Sequence, residues 1–443
     1  MGNARNAALA GLKALRINGT WPDQFVQQDL SKYELDARDS GLAVALLYGT
    51  LEHRNLIDFY LEQYSSIKLK KIMPQVLDCL RLGIYQLIWM EKIPDHATVS
   101  EMVRLARKSG GDRAGSFCNA VLRKISLEKS NLPAVPKENF AHYLAVEYTH
   151  PEWFTEKMTA ILGKEEAEML CRANESHEEV TLRVNTLKIT APRLKELLIQ
   201  KEIEVSEHRF LPHCLVVQNG GDLTKLPEFE QGLFYIQDIA SQLAAWALGV
   251  KPGQNVIDLC AAPGGKTMIA AQMQQGKGDL LAIDVHEFKC KELQKTAKRY
   301  GVEHFKTACA DSSVMNPSLR DTADRVICDV PCSGMGIIRK KADIRFKTAE
   351  EVREMPPLQR KILECAAAYC VLGGSIVYST CTILPEENEQ VVKDFLAGHP
   401  EFSAEAFELP GFGLIEEGQR TFYPHRDGTD GFYIAKLKKE ALL

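Results

Sequence analysis

The sequence predicts a multidomain protein with an all-α head, a small α/β module and a larger α/β domain built on a parallel sheet. Its 443 residues exceed what one ordinary core uses, since domains average about 150 residues. Apolar residues recur at helical spacing in the first part, whereas short apolar strands alternate with helical stretches in the last. These patterns predict domains at residues 1–133, 140–235 and 236–443.

The head and the module are predicted from local patterns. In the head, residues three or four apart form an apolar helix face, as in Val76, Leu80, Ile84 and Leu87. Two prolines among polar residues in 127–139 predict the linker that follows. In the module, "APRLKELLIQK" is typical of a helix, while "EVTLRVNTLK" and "HCLVVQ" are typical of strands.

Composition and charge restrict the class of protein. Hydrophobic residues make up 45% and charged residues 26%, as in a soluble globular protein. No apolar run approaches the ~20 residues that span a bilayer, and the amino-terminal stretch lacks the apolar core of a signal peptide. We therefore expect a cytoplasmic monomer without membrane contact. The net charge is -5, but residues 1–130 carry 18 basic and 14 acidic side chains, which permits patchwise contact with nucleic acid.

The last domain is predicted from six candidate strands, "NVIDLCAA", "LLAIDVH", "FKTACAD", "RVICDVP", "SIVYSTCT" and "FYIAKLK". The first leads into a loop of small residues and glycines, which lets the backbone approach a ligand at a helix N-terminus. A P-loop would need glycine at position 260, where Cys260 stands, and the loop is not GxGxxG either. This Rossmann-like unit suits a ligand without a pyrophosphate, such as S-adenosylmethionine. The predicted cofactor loop comprises Cys260, Ala261, Ala262, Pro263, Gly264, Gly265 and Lys266.

Four successive strands carry an aspartate at or near their C-terminal ends, where open α/β sheets bind ligands. Asp284 follows Gly264 by 20 residues, a distance at which an acid can bind ribose hydroxyls. Asp311 could accept a hydrogen bond from an adenine amino group, and Asp329 ends the fourth strand. The alternative for any single aspartate is that it only caps a helix or a turn.

Two of the 12 cysteines, Cys332 and Cys381, follow strands on the predicted cofactor side. The cysteines include no CxxC pair and no Cys/His cluster at zinc spacing, so we expect no metal site. For the other ten we expect buried core thiols. A thiolate that adds to carbon 6 of a pyrimidine makes carbon 5 nucleophilic toward a sulfonium methyl group. Asp329 could balance the charge at ring nitrogen N3, and the residues alone leave open which thiol attacks.

"DLCAAPGGKT", "DVPCSGMG" and "STCT", in this order, resemble the RNA cytosine-5 methyltransferases of the Nop2/Sun (Fmu) family. The head resembles the RNA-binding NusB domain in "ARDSGLAVALLYGTLEHRNLID" and "GSFCNAVLRKI". The combination of such a head with this catalytic domain resembles bacterial enzymes that methylate small-subunit (16S) rRNA. The resemblance covers essentially the whole chain. It implies S-adenosylmethionine-dependent methylation of carbon 5 of a cytosine through a covalent cysteine adduct.

The resemblance also implies roles for individual residues. Cys381, in the "STC" motif, would be the nucleophile, and Cys332, in the "PC" motif, would assist release of the adduct. Lys266 would lie near the catalytic centre. Asp284, Asp311 and Asp329 would complete the S-adenosylmethionine site with the glycine loop.

The segment "IRKKADIRFK", just after Cys332, has five basic residues and is a candidate RNA contact. A run of this kind is also typical of a solvated surface. Relatives often carry His-Pro where Lys341 and Ala342 stand, which leaves the RNA contact near Arg339 open.

Two other functions fit parts of the sequence. A DNA cytosine-5 methyltransferase would use the Pro-Cys thiol, here Cys332, but would leave Cys381 and the head unexplained. A non-catalytic RNA-binding or antitermination factor would fit the head, but would leave the ordered acids and both thiols unexplained.

Overall fold

The computed structural model describes residues 4–176 and 179–441. The outermost residues of the predicted end domains, 1–3 and 442–443, lie outside the described residues. The described chain forms two compact units. The first comprises the residues up to Ser176 together with Ile338–Ala349; the second comprises the rest, up to Ile337 and from Glu350 on.

The first unit is built from helices that share one apolar core. In chain order they are α1 (Ala4–Asn18), α2 (Pro22–Gln28), α3 (Ala37–Glu52), α4 (Arg54–Tyr64), α5 (Pro74–Trp89), α6 (Asp95–Glu128), α7 (Phe140–Glu147), α8 (Glu152–Leu162) and α9 (Lys164–Ala173). The predicted face of α5 is buried in this core, with Leu80 and Ile84 fully enclosed. Helix α6 bends at Gly110 and Gly111, because Gly111 has φ 75°, a conformation that favours glycine.

The division into three domains remains a prediction. The described residues form two compact units, and the boundary between these units differs from the predicted domain boundaries. Helices α7 to α9 belong to the first unit, although the sequence assigned them to the α/β module. Asn55, at the start of α4, donates its side-chain amide to the carbonyl oxygen of Ala145 at 2.9 Å. A long-range hydrogen bond of this kind leaves no local signal in the sequence.

The segment Ile338–Ala349 belongs to the first unit and contains a 3-10 turn, Ala342–Phe346. Arg345 is only 3% exposed and donates to the carbonyl oxygens of Tyr148, Thr149 and Asn174 at 2.7–3.1 Å. The prediction that this whole basic run is an RNA contact is therefore wrong for Arg345. Its charge is used to satisfy buried backbone carbonyls.

The second unit contains two main sheets. The smaller sheet is antiparallel in the order β2-β3-β1-β4. Its elements are β1 (Val180–Val184), α10 (Ala191–Ile199), β2 (Glu204–Glu207), β3 (Cys214–Gln218), α11 (Pro227–Glu230) and β4 (Phe234–Ile236).

The larger sheet has the order β10-β14-β9-β8-β5-β6-β7, with β13 also paired to β14. Strands β11 and β12 form a separate hairpin. In chain order, the strands and helices of this region are α12 (Ile239–Leu248), β5 (Val256–Asp258), α13 (Gly265–Gln274), β6 (Leu280–Asp284), α14 (Glu287–Tyr300), β7 (Phe305–Cys309), β8 (Ala323–Asp329), α15 (Ala349–Arg353), α16 (Met355–Tyr369), β9 (Cys370–Thr380), α17 (Glu389–Gly398), β10 (Phe402–Ala404), β11 (Phe407–Leu409), β12 (Gly413–Ile415), β13 (Gln419–Phe422), α18 (Pro424–Asp427) and β14 (Phe432–Lys439).

All six predicted strands are present, and five of them, β5 to β9, run parallel. The sixth, β14, pairs antiparallel with β9. The chain order reverses between β5 and β8, so this is the switch point at whose carboxyl edge open α/β sheets bind ligands. Over the part of the chain that the structure describes, no helix combines the length and apolarity needed to cross a membrane.

Candidate active site

The glycine loop lies between β5 and α13, at the carboxyl edge of the switch point. Gly264 has φ 109°, and a Cβ added there would come within 2.8 Å of Leu293. A Cβ on Gly265 would come within 2.8 Å of the Gln237 side chain. Gly264 therefore needs glycine for its conformation, whereas a Cβ at Gly265 would require the end of the Gln237 side chain to move.

A cavity of about 630 Å³ borders this loop. Its size lies within the ~300–1,000 Å³ usual for small-molecule sites. Its wall includes most of the predicted loop, with Asp329 at one end and apolar groups of α14, such as Phe288 and Leu293, on another side. An adenosyl group with a sulfonium needs apolar walls and a few polar contacts, so this cavity fits S-adenosylmethionine.

Two predicted cofactor acids, Asp284 and Asp311, do not line this cavity. Asp284 is buried at the end of β6, where Oδ1 accepts the backbone N–H of His286 at 3.0 Å. Asp311 is exposed and accepts from the backbone N–H and hydroxyl of Ser313 at 2.8 and 2.7 Å. The Ser313 hydroxyl hydrogen bond lowers the pKa of Asp311. Asp284 Oδ1 also lies 3.9 Å from Nζ of Lys289, which lines the cavity, whereas the contacts given for Asp311 are those of its own turn; the cofactor roles of both acids stay predictions.

Lys266 and Asp329 form an ion pair at the end of the cavity. The Lys266 Nζ lies 2.7 Å from Asp329 Oδ2 and 2.9 Å from the hydroxyl oxygen of Ser241. Ser379, on β9, donates its hydroxyl to the other Asp329 oxygen at 2.6 Å. Asp329 is thus held in one orientation from two sides. Sequence reasoning missed Ser241 and Ser379, because a single serine in a helix or strand has no distinctive sequence pattern.

The two strand-end thiols lie side by side. Cys332 follows β8 and Cys381 follows β9, and their Sγ atoms are 3.0 Å apart. The backbone N–H of Cys381 also points at the Cys332 sulfur, at 3.3 Å. The hydrogen bond with Cys381, together with burial, raises the pKa of Cys332 well above its ordinary value. Two thiols this close cannot both ionise easily, so the pair keeps at least one proton.

The loop that carries Cys332 is fixed by a buried carboxyl group. Glu387 Oε2 accepts the backbone N–H of Ser333 at 2.9 Å and the side-chain amide of Gln359 at 2.8 Å. The Ser333 hydroxyl donates to Thr382 at 3.0 Å, which ties this loop to the one after Cys381. Burial raises the pKa of Glu387. Sequence reasoning missed Glu387, since acidic residues at a helix start are usually exposed.

The remaining cysteines only partly match their predicted burial. Cys309 is exposed and Cys260 is half-buried, so the expectation of a core thiol is wrong for these two. The other eight are buried. Among the described residues, no group of three or more His, Cys, Asp or Glu side chains could hold a metal ion.

We expect Gly336→Ala to destabilise the second unit and to disturb the cysteine pair. The Gly336 N–H donates to the Cys381 carbonyl at 3.0 Å, and an added Cβ would come within 1.9 Å of the Gly431 oxygen. Overpacking against backbone costs about 1–3 kcal/mol. Thermal melting and thiol labelling of Cys332 measure the effect. Gly398→Ala is the control, since nothing lies within 4 Å of its Cβ position; equal melting of both variants would contradict the expectation.

We expect Asp258, at the end of β5, to make the stability of the second unit depend on pH. Burial raises its pKa to about 7, although Thr267 donates a hydrogen bond to Oδ2 at 2.6 Å. An unfolded aspartate has a pKa of about 3.9, so between these values the folded chain keeps a proton that the unfolded chain has lost. The free energy of unfolding should fall from about pH 4 to about pH 7, at about 1.4 kcal/mol per pH unit, and then level off.

Asp258→Asn should remove this component, because an amide of the same shape does not titrate. The measurement is urea unfolding followed by circular dichroism at pH 5 and pH 8, for the variant and the wild type. Glu408→Gln, which neutralises an exposed carboxylate, is the control. An unchanged pH slope in Asp258→Asn would show that Asp258 is ionised throughout.

Comparisons with known proteins agree with this architecture. The model of the family "16S rRNA methyltransferase RsmB/F" matches residues 245–438, the NusB family matches 2–127, and the ferredoxin-like domain of RsmF/B-like methyltransferases matches 150–224. The predicted fold class, with a NusB-like head, a small α/β module and a Rossmann-like domain, is confirmed.

Similar proteins cover nearly the full length. The chain is 33% identical over 446 residues to the probable ribosomal RNA small subunit methyltransferase B of Bacillus subtilis, covering 99% of each chain. It is 31% identical over 449 residues to ribosomal RNA small subunit methyltransferase B of Pseudomonas putida, again covering 99% of each. The crystal structure of the protein PH0851 has a TM-score of 0.81 and 28% identity, covering 98% of this chain and 99% of that one. A methyltransferase homolog from Pyrococcus horikoshii has a TM-score of 0.60 and 29% identity, covering 68% and 99%.

Proposed function

The chain belongs to the RsmB/F family of rRNA methyltransferases, and from this premise we propose that it methylates carbon 5 of a cytosine in small-subunit (16S) rRNA. As a member of that family it is an S-adenosylmethionine-dependent methyltransferase, so the alternative of a non-catalytic binder does not hold. We place the reaction in the cytoplasm, where ribosomal RNA is found in bacteria. The observation that carries the proposal is the pair of thiols 3.0 Å apart beside the Lys266–Asp329 ion pair.

The cavity beside the glycine loop is the proposed S-adenosylmethionine site. Residues Cys260 to Lys266 would hold the cofactor by backbone contacts, as the two packed glycines permit. Asp284 and Asp311 remain proposed ligands of the ribose and the adenine. When bound, the cofactor supplies an electrophilic methyl group attached to a sulfonium.

Cys381 is the proposed nucleophile. Its thiolate sulfur forms a bond to carbon 6 of the cytosine, and the electron pair of the C5–C6 double bond becomes available at carbon 5 for the methyl group. Loss of the C5 proton to solvent then restores the double bond and breaks the bond between carbon 6 and sulfur. A target base inside a stem must first leave its stack to reach this thiol.

Cys332 is proposed to assist the last step. The pKa of its thiol is raised, and the Cys332 thiol, 3.0 Å from the Cys381 sulfur, would carry the proton of the pair. A hydrogen bond donated to the departing sulfur stabilises the thiolate as it leaves carbon 6. In a DNA cytosine-5 methyltransferase the Pro-Cys thiol would be the attacking one, and no observation here favours that reading.

Lys266 and Asp329 are proposed to hold the base. The Asp329 carboxylate would accept a hydrogen bond from protonated N3, which balances the charge that develops when sulfur adds to the ring. The Lys266 ammonium has three donors, and Asp329 and Ser241 take two of them. The third would reach the cytosine carbonyl oxygen.

The test is transfer of labelled methyl groups from S-adenosylmethionine to RNA isolated from cells that lack this protein. We expect label in 16S rRNA, and bisulfite sequencing should map one or a few 5-methylcytosines. Free rRNA and small-subunit particles are compared as substrates in parallel. Label at another atom, or in DNA alone, would refute the proposed function.

A further inference from the structure

A second cavity, of about 190 Å³, lies within the helical unit. It is bordered by α1, α3, α4 and α5 and by the 3-10 turn of the Ile338–Ala349 segment, all of the first unit. Its wall combines leucines with polar, charged and aromatic groups: Arg16, Trp21, Thr50, Arg54, Asp78, Arg81 and Phe346. Nothing in the proposed reaction uses these residues.

Two of the three arginines at this cavity are neutralised by carboxylates. Arg81 makes a two-pronged contact with Asp58, at 2.7 and 2.6 Å. Arg16 donates to Asp78 at 3.1 Å, and Arg81 lies 3.8 Å from the same carboxyl group. Both carboxylates are therefore engaged, and the set of three guanidinium groups keeps one net positive charge.

Arg54 is the third guanidinium, and the Asp58 and Asp78 carboxylates attract it without forming an ion pair with it. Its guanidinium lies 4.8 Å from the centre of the Phe346 ring, and burial together with nearby Arg81 lowers its pKa. Within residues 4–176 and 179–441, no carboxylate lies within 4.0 Å of this guanidinium and no oxygen accepts a hydrogen bond from it. A half-buried charge in this position is stabilised by an anion.

Thr50 supplies a second, independent sign of a ligand. Its side chain is 1% exposed and borders the cavity. Among the described residues, its hydroxyl oxygen has no hydrogen-bond partner. Buried hydroxyls are normally paired, because leaving one unpaired costs about 1–3 kcal/mol.

We propose that this cavity binds one nucleotide of the RNA substrate, with its phosphate on Arg54 and Thr50 and its base against Trp21 and Phe346. The planar guanidinium fork matches a phosphate, and aromatic rings stack on bases without regard to sequence. The cavity, of about 190 Å³, is smaller than the ~300 Å³ at which drug-sized sites begin, so it would enclose the phosphate, while the base lies at the rim where Trp21 is 43% exposed. The RNA part of the proposal rests on the proposed function, since a free mononucleotide has the same chemistry.

The test uses the full chain and the fluorescence of Trp21, which is 43% exposed at the rim. One arm titrates a single-stranded tetracytidylate, and the other titrates free cytidine monophosphate. We expect quenching that Trp21→Phe removes, with tetracytidylate binding more tightly than the mononucleotide. Equal or tighter binding of the mononucleotide would overturn the RNA assignment, and no Trp21-dependent quenching in either arm would overturn the site.

Variants then identify the contacts. Arg54→Met should raise the half-saturating concentration about tenfold, the scale of a lost charge-assisted hydrogen bond. Arg38→Met is the matched control, since it removes an exposed arginine of the same unit. Equal affinities of the Arg54→Met and Arg38→Met proteins would overturn the proposal.

Thr50→Val keeps the test decisive if Arg54→Met does not fold. Valine has the same shape and removes a hydroxyl without a partner, so it should leave thermal stability unchanged or higher while weakening binding severalfold. Unchanged binding would mean that the hydroxyl has no ligand. Methyl transfer, measured with the same wild-type preparation, separates the two proposals. Normal quenching without methyl transfer refutes the proposed function. Normal methyl transfer without Trp21-dependent quenching refutes the nucleotide site.

Discussion

Cys381→Ala should abolish both methyl transfer to RNA and formation of a covalent RNA adduct. Removing the atom that bonds to carbon 6 leaves carbon 5 a poor nucleophile, and losing an enzyme nucleophile costs on the order of 10³-fold or more in rate. The rate is measured with labelled S-adenosylmethionine at saturating RNA. The adduct is measured as a protein band of reduced mobility that survives denaturation.

Cys332→Ala should have the opposite effect on the adduct. Without a thiol 3.0 Å from the departing sulfur, the bond between Cys381 and the methylated base should break slowly, so the adduct accumulates while turnover falls. The order of events is checked by quenching the reaction at intervals and counting methyl groups in the trapped species. An adduct that forms in Cys381→Ala but not in Cys332→Ala would reverse the assignment.

Cys309→Ala is the matched control for both variants. Cys309 is an exposed thiol at the end of the edge strand β7, and it donates to the Val285 carbonyl at 3.5 Å. Its removal should leave the rate and the adduct unchanged. Substrate RNA with 5-fluorocytidine at the target gives an independent readout, since the missing C5 proton prevents release and should trap wild type but not Cys381→Ala.

The sequence predicted those site residues whose proximity follows from the order of the parallel strands. Asp329, Cys332 and Cys381 could be grouped in advance, because the carboxyl ends of parallel strands share one edge of a sheet. Their spacing along the chain was enough to predict proximity. It was not enough to rank the two thiols: their sulfur atoms are 3.0 Å apart and either could donate the hydrogen bond, so only the family resemblance assigns the attack to Cys381.

The buried polar side chains that support the two units could not be predicted from the sequence. Glu387 and Arg345 look like ordinary surface charges in the chain, yet one fixes the Cys332 loop and the other binds backbone carbonyls in the helical unit. Burial of such groups is decided by tertiary contacts that have no local pattern. The short strands β10 to β13 were missed for a related reason, since three or four residues show too little alternation to be recognised.

Asp329→Asn is expected to lower the rate of methyl transfer by about 10²–10⁴-fold, the range for groups that handle a proton in the transition state. Asparagine keeps an acceptor for the Ser379 hydroxyl but loses the charge that pairs with Lys266. The substrate N3 would then gain its proton without a carboxylate to balance it. Affinity for RNA should change little, so the loss should appear in kcat rather than KM.

Asp324→Asn is the matched control on the same strand. Asp324 stands near the other end of β8, where its carboxylate accepts the Asn255 backbone N–H at 2.8 Å, a bond that an amide oxygen preserves. Normal activity in this variant would show that the loss in Asp329→Asn is specific to the site. If Asp329→Asn raised only the KM for RNA, Asp329 would bind the substrate without taking part in the chemistry.

Ser379→Ala separates the charge of Asp329 from its orientation. The variant keeps the Lys266–Asp329 ion pair but removes the hydrogen bond that fixes the other carboxylate oxygen at 2.6 Å. We expect a smaller decrease in kcat, about tenfold, because the carboxylate can still reach N3 but must be ordered during the reaction. A decrease as large as that of Asp329→Asn would mean that orientation, rather than charge, accounts for the role of Asp329, since only the hydrogen bond differs between the variant and the wild type.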